Sequence, residues 1–270
     1  MTEQVINASQ NPNLTNKLVA DALKEPEIQI EPANLSVPTD VEVQLPGGFV
    51  KFSGELLQTA TVKELTGKDE EFIARTQNFN KVYSAVLQRG VVTIGDEPAT
   101  PDLLNGLLLG DRDSLLLGIY RATYGDTATL LGFCTSCENS EEVELDLLKD
   151  IKVKTLVNPE EDRVFEVQGR NKTFLVTLPT GITENKLIDN SGNVSEKVTI
   201  LLEHTVLNIN GQRVVSRSQV QDLGMADRQK LVDEITKRSP GPKFEEISME
   251  CPKCNSELVV PVSIGALFRF

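Results

Sequence analysis

The sequence predicts an α+β fold of two related lobes from an internal duplication. Each lobe carries short strands, helices and a Cys-x-x-Cys β-knuckle, and the two share a zinc-ribbon-like site of four cysteines. Three observations carry the prediction. Stretches of period-two alternation, such as VEVQ and TATVK, interleave with stretches of helical period, such as SLLLGIY, so neither an all-α nor an all-β chain fits. The pattern of residues 61 to 137 returns roughly 115 residues later. All four cysteines fall into two pairs, Cys134 with Cys137 and Cys251 with Cys254.

The elements follow in order. Residues 1–40 hold no aromatic side chain and are rich in Asn, Pro, Gln and Glu, a composition that buries little apolar surface and predicts an extended arm. Within it, NLTNKLVADALKE sets Leu14, Leu18, Val19 and Leu23 on one side of a helix, a stripe suited to docking on a partner. From residue 41, VEVQLPGGFV and QTATVKEL read as strands, with Pro46-Gly47-Gly48 expected to turn the chain between them. TGKDEEFIAR is a helix with Thr66 as N-cap, and NKVYSAVLQRG is a second helix ended by Gly90. VVTIGD is a short strand and TPDLLNGLLLG a short helix. DRDSLLLGIYRATYGD is a longer helix with Leu115, Leu116, Ile119 and Tyr120 on its apolar face, and TATLLGFCTSCENSEEVELDL is strand, knuckle and strand.

The remainder repeats the programme. Thr66-Gly67 matches Thr180-Gly181, Leu87 matches Leu202, and Ile94 matches Ile209. Asp111-Arg112 matches Asp227-Arg228, and the first cysteine pair matches the second. Offsets that drift by only a residue or two across helix and strand alike point to duplication. The period is too long for a solenoid and predicts a first lobe at 41–157 and a second at 158–270, joined around VNPEEDR.

Composition narrows the function classes. A net charge of -13 with one histidine offers no surface that neutralises phosphates, so no nucleic-acid partner is expected. No apolar run reaches the roughly 18 to 20 residues that cross a bilayer, and the first residues lack a basic segment followed by an apolar one. A protein made in the cytosol, without a membrane partner, is the expectation. The glycines form neither a dinucleotide fingerprint nor a P-loop, no carboxylate pair stands out, and Trp is absent, so no small-molecule substrate is implied.

In a reducing cytosol the cysteine pairs leave metal ligation, redox chemistry or reduced structural thiols open. A redox pair opens a helix, whereas β-alternating residues follow each pair here, which favours two halves of a closed four-thiolate zinc site, one structural zinc per chain. The 113 residues between Cys137 and Cys251 exceed the linker of a single ribbon, and duplication accounts for them. His204 has no partners that would make it catalytic, and Asp111 and Asp227 read as caps on the long helices, so the protein is not expected to be an enzyme.

LPGGFV, KELTGKDEEFIAR, DRDSLLLGIYRATYGDT and CTSCENSEEVELDL, in that order, resemble the baseplate hub assembly family of T-even-like contractile-tailed phages, over residues 41 to about 150. The resemblance implies a non-enzymatic protein of the virion tail baseplate, assembled in the host cytoplasm, whose partners are other tail and hub proteins. It fits a structural subunit and, alternatively, a transient hub assembly chaperone absent from the finished virion. A zinc-ribbon redox or enzyme domain is the rival from another class.

Overall fold

The computed structural model describes residues 13, 16–17, 40–76, 78, 81–244 and 246–268. The chain divides into two compact units, Met1–Val37 and Pro38–Phe270. Of the first unit, Asn13, Asn16 and Lys17 are described as helical and exposed. The docking stripe of Leu14, Leu18, Val19 and Leu23 lies outside the described residues. The architecture below is that of the second unit.

Strands β1 (Asp40–Val50) and β2 (Leu56–Lys63) form an antiparallel hairpin whose alternation turns Val43, Leu45, Leu57, Ala60 and Val62 inward. The hairpin does not turn at Pro46-Gly47-Gly48, contrary to the sequence expectation. Those residues lie inside β1 as a wide bulge, with the register slipping between Gln44 and Phe49. Pro46 has no amide for the ladder, and Gly48 takes a φ of 66°, which breaks the pairing without reversing the chain. The reversal occurs at Lys51 to Glu55, closed by Lys51 N–H to Glu55 O at 2.8 Å, with Gly54 at φ 84°.

Helix α1 (Gly67–Ala74) starts as predicted. The Asp69 carboxylate accepts from the Thr66 amide at 3.0 Å and from its hydroxyl at 2.8 Å. Helix α2 (Val82–Gly90) ends where Gly90 lets Ile119 approach, since a Cβ there would stand 2.6 Å from the Ile119 side chain. Strands β3 (Val91–Ile94) and β4 (Glu97–Pro98) complete a sheet of order β1-β2-β3-β4. Helix α3 (Pro101–Gly106), capped by Thr100, leads into α4 (Leu109–Tyr124). The predicted face of α4 is buried, with Leu115 and Ile119 fully enclosed against the sheet.

The hairpin of β5 (Thr127–Cys134) and β6 (Ser140–Asp146) follows, then β7 (Val153–Lys154). Strands β8 (Val164–Gln168) and β9 (Thr173–Thr177) open the next part, with helices α5 (Gly181–Asp189) and α6 (Val194–Thr205). Strands β10 (Val206–Ile209) and β11 (Gln212–Arg213) close a second sheet of order β8-β9-β10-β11. Helices α7 (Arg217–Gln221) and α8 (Met225–Arg238) come next. Then come β12 (Gly241–Pro242), the hairpin of β13 (Ile247–Glu250) and β14 (Glu257–Val260), and helix α9 (Ile264–Phe268). Hairpin, two helices, two strands, short helix, long helix and hairpin therefore occur in one order over 40–146 and again over 164–260, where β12 is the one insertion.

The β1–β4 and β8–β11 sheets each have their own apolar core, centred on Leu87, Ile94 and Leu115 in the first and on Phe174, Leu202 and Leu231 in the second. A third core, around Leu130, Val143 and Leu258, lies under a sheet of order β13-β14-β5-β6. That sheet is assembled from hairpins far apart in sequence, and it positions the cysteines.

Candidate metal centre

The site is built from strand register. Along β5, inward and outward residues alternate, so Ala128, Leu130 and Cys134 are buried while Leu131 and Phe133 are exposed. Strand β14 pairs antiparallel with β5 and sets Leu258 opposite Cys134 and Val259 opposite Phe133. Gly132 makes the approach possible, since a Cβ there would stand 2.2 Å from Leu258 Cδ2. The turns after β5 and before β14 therefore meet at the same end of one sheet.

The two turns share their detail. The Cys134 amide donates to Asn139 O at 2.9 Å, and the Cys251 amide donates to Ser256 O at 2.8 Å. The residue after each second cysteine is left-handed, Glu138 at φ 56° and Asn255 at φ 58°. Both turns thus fold the chain back within five residues and direct both sulfurs of each pair to one side.

All four Sγ atoms lie within 4.8 Å of one another. Cys134 and Cys254 are 3.6 Å apart at sulfur, and Cys137 and Cys251 are 3.7 Å apart. A tetrahedron with metal–sulfur bonds of ~2.3 Å has edges of about 3.8 Å, so these spacings suit one tetrahedral ion. They are far longer than the ~2.05 Å of a disulfide, and all four cysteines are free. Cys134 and Cys251 are buried, Cys137 is half-buried and Cys254 is exposed, so the site is anchored inside and open to solvent on one side.

The protons are unevenly held. Ser256, first through its hydroxyl and then through its amide, brings the Cys254 thiol down to about 6, with Cys137 adding to the effect. The hydrogen bond to Cys254 pushes Cys137 up to about 12. A divalent cation that binds all four sulfurs must displace the protons the thiols still hold.

The family model described as T4 bacteriophage base plate protein matches residues 49–269, a span that holds all four cysteines. The chain belongs to that family. Comparison with curated proteins and with solved structures finds no significant match.

Other candidates in this baseplate protein fall away from the cysteines. His204 sits in the last turn of α6, where a basic group suits the helix dipole. Asp111 stands in the first turn of α4, as the sequence had suggested, but its carboxylate also reaches out of the helix. Its Oδ1 accepts the amide of Gly47 in the β1 bulge at 2.6 Å, and its Oδ2 has no hydrogen-bond partner. Arg163 holds the same bulge, donating to Gly47 O at 3.2 Å and Gly48 O at 3.0 Å. Asp227 acts on β8–β9 as Asp111 acts on the bulge, its Oδ1 accepting the Arg170 amide at 2.9 Å. These long-range partners were not legible, because a helix-opening acid looks the same in sequence whichever amide it reaches.

Sequence reasoning also missed the adjoining arginines. Arg112, almost fully buried, donates to Leu104 O at 2.8 Å, to Ser84 Oγ at 3.2 Å and to Glu184 at 2.8 Å. The recurrence of the Asp-Arg dipeptide was the available signal. Among the described residues no helix is long and apolar enough to cross a membrane.

Proposed function

We propose that the chain is a non-enzymatic structural component of a contractile phage tail baseplate, built from two duplicated lobes stapled by one zinc ion. The observation that carries the reading is the meeting of Cys134, Cys137, Cys251 and Cys254 at tetrahedral spacing, from hairpins over a hundred residues apart, in a baseplate-family chain. Four thiolates around zinc leave no open position for water or substrate, which supports a structural metal over a catalytic one. The lobes at 41–157 and 158–270 are supported by the recurring order of elements. They are supported too by the matched roles of Asp111 with Asp227 and of Arg112 with Arg228. On this reading each lobe donates one knuckle, and the zinc resists separation of the lobes under load. Leu14, Leu18, Val19 and Leu23 of the arm would bind a neighbouring tail or hub protein.

Mass spectrometry of purified virions tests the role. Recovery in fixed stoichiometry with other baseplate proteins supports the subunit. Absence from finished particles, together with failed hub assembly when the gene is deleted, establishes the chaperone instead. Reactive thiols in metal-loaded protein would favour the redox or enzyme rival.

A further inference from the structure

One contact within the chain is made once although the surfaces for it occur twice. Helix α5 sits on the groove between α2, α3 and α4. There Arg112 Nε donates to Glu184 at 2.8 Å, Asn185 donates to Asn105 Oδ1 at 2.9 Å, and Lys81 pairs with Asp189 at 2.7 Å. The Gly181 amide donates to Leu107 O at 3.0 Å beside an antiparallel bridge from Leu108 to Thr180. Helix and groove touch closely: a Cβ on Gly181 would stand 2.8 Å from the Arg112 guanidinium and 3.0 Å from Asn105 Cα.

The corresponding groove, between α6, α7 and α8, is open, with a volume of about 570 Å³. Arg228 is held in it as Arg112 is held, donating to Val220 O at 3.1 Å and to Thr199 Oγ1 at 2.9 Å. Among the described residues no carboxylate pairs with it. Val194 and Met225 at the rim are 78% and 88% exposed. The helix corresponding to α5 is α1, and its outer face is equally bare. Glu70 is exposed, Glu71 and Arg75 pair with each other at 3.6 Å and with no other charged group among the described residues, and a Cβ on Gly67 would meet nothing within 4 Å.

We propose that α1 of one copy docks in the α6–α8 groove of a second copy, repeating head to tail the contact that α5 makes within the chain. The inference rests on the correspondence of the two lobes proposed above. The charges follow that correspondence. Glu70 meets Arg228 as Glu184 meets Arg112, and Glu71 meets Gln221 as Asn185 meets Asn105. Arg75 meets Glu196 where Asp189 meets Lys81, with both signs exchanged and the attraction kept. Gly67 is small for the reason that Gly181 is small, namely close approach of the groove wall. Each copy uses α1 toward one neighbour and its groove toward the other, so the association closes into a ring or grows as a filament.

Sedimentation velocity of the full chain tests the contact. The wild type is expected to form species larger than dimers as its concentration rises to about 100 µM, and to lose them in high salt. Glu70→Lys and Arg228→Glu are each expected to be monomeric alone. An equimolar mixture is expected to regain the larger species, because the intact α1 of R228E fits the intact groove of E70K and the two reversed charges attract each other in the alternate contact. Met225→Glu replaces R228E should the latter fail to fold, since its side chain is almost wholly exposed. A wild type that stays monomeric, or a mixture that does, overturns the contact. The lobe correspondence is read separately, by whether Arg112→Ala and Arg228→Ala both lower the melting temperature, the first by more because it also loses Glu184, so the two ideas fail in different measurements.

Discussion

Cys134 lies opposite Leu258 across the β5–β14 pair, and this register brings two Cys-x-x-Cys turns to the same end of one sheet. Backbone pairing supplies the alignment, and the sulfurs follow from it. The hairpins touch in this sheet through a short pairing, Phe133 and Cys134 with Val259 and Leu258, over the core around Leu130 and Leu258. A metal bound at the turn end would add a bond set that holds this seam closed.

Chelation should therefore loosen the seam. Removing metal from the folded protein is expected to lower the melting temperature by roughly 10 °C, corresponding to about 3 kcal/mol at ~2–4 °C per kcal/mol for a chain of this size. Cys254→Ser should reproduce the loss, and chelator should then have no further effect. Differential scanning calorimetry with and without chelator measures both.

Ser256 should set how protons compete with a bound metal. Its hydroxyl is the leading cause of the lowered Cys254 thiol, so Ser256→Ala raises that thiol and lets protons compete with the metal at higher pH. The midpoint of metal release on acidification should move upward by roughly half a pH unit, while metal content at pH 8 stays unchanged. A chromophoric zinc indicator titrated from pH 8 to pH 4 reads the midpoint.

How much of this was legible in sequence differs from residue to residue. The helices α1 to α4 were readable because their caps and apolar spacing are local signals, as in Thr66 with Asp69 and in Leu115, Leu116 and Ile119. The cysteine pairs were readable because their spacing is itself the chemistry. Pro46-Gly47-Gly48 misled because a bulge and a turn use the same residues, and only the contact of Gly47 with Asp111 and Arg163 decides between them. The groove around Arg112 was hidden because its occupant, α5, lies about seventy residues away. No local pattern encodes which helix covers a groove.

Asp111 should make stability depend on pH. Burial, opposed by the Gly47 amide and the Arg163 guanidinium, raises its carboxyl from 3.8 to about 7. Below about 4 both folded and unfolded chains hold the proton, and Asp111 costs nothing. Between about 4 and 7 only the folded chain keeps it, so stability falls as pH rises, and above 7 a buried charge is carried in full. Asp111→Asn, which keeps an acceptor for Gly47, is expected to melt on the order of 5 °C above wild type at pH 8 and level with it at pH 4. Thermal melts across that range decide the matter.

Two glycines at matching helix starts should respond in opposite ways. Gly181→Ala forces a methyl against the Arg112 guanidinium and the Asn105 backbone and is expected to cost about 2 kcal/mol. Gly67→Ala enters open space at the start of a helix and is expected to be neutral or stabilising within about 1 kcal/mol. Urea unfolding at low protein concentration compares the two.

The central claim is that four cysteines from two hairpins hold one ion. Native mass spectrometry of protein purified without added metal, with elemental analysis of the same sample, tests it most directly. The account predicts one zinc per chain in the wild type, none in Cys137→Ser/Cys254→Ser, and Cys137 and Cys254, the two cysteines that solvent reaches, protected from alkylation only while the metal is bound. A wild type that is well folded, free of metal and fully alkylated at Cys254 and Cys137, with a melting curve unmoved by added zinc, would contradict it.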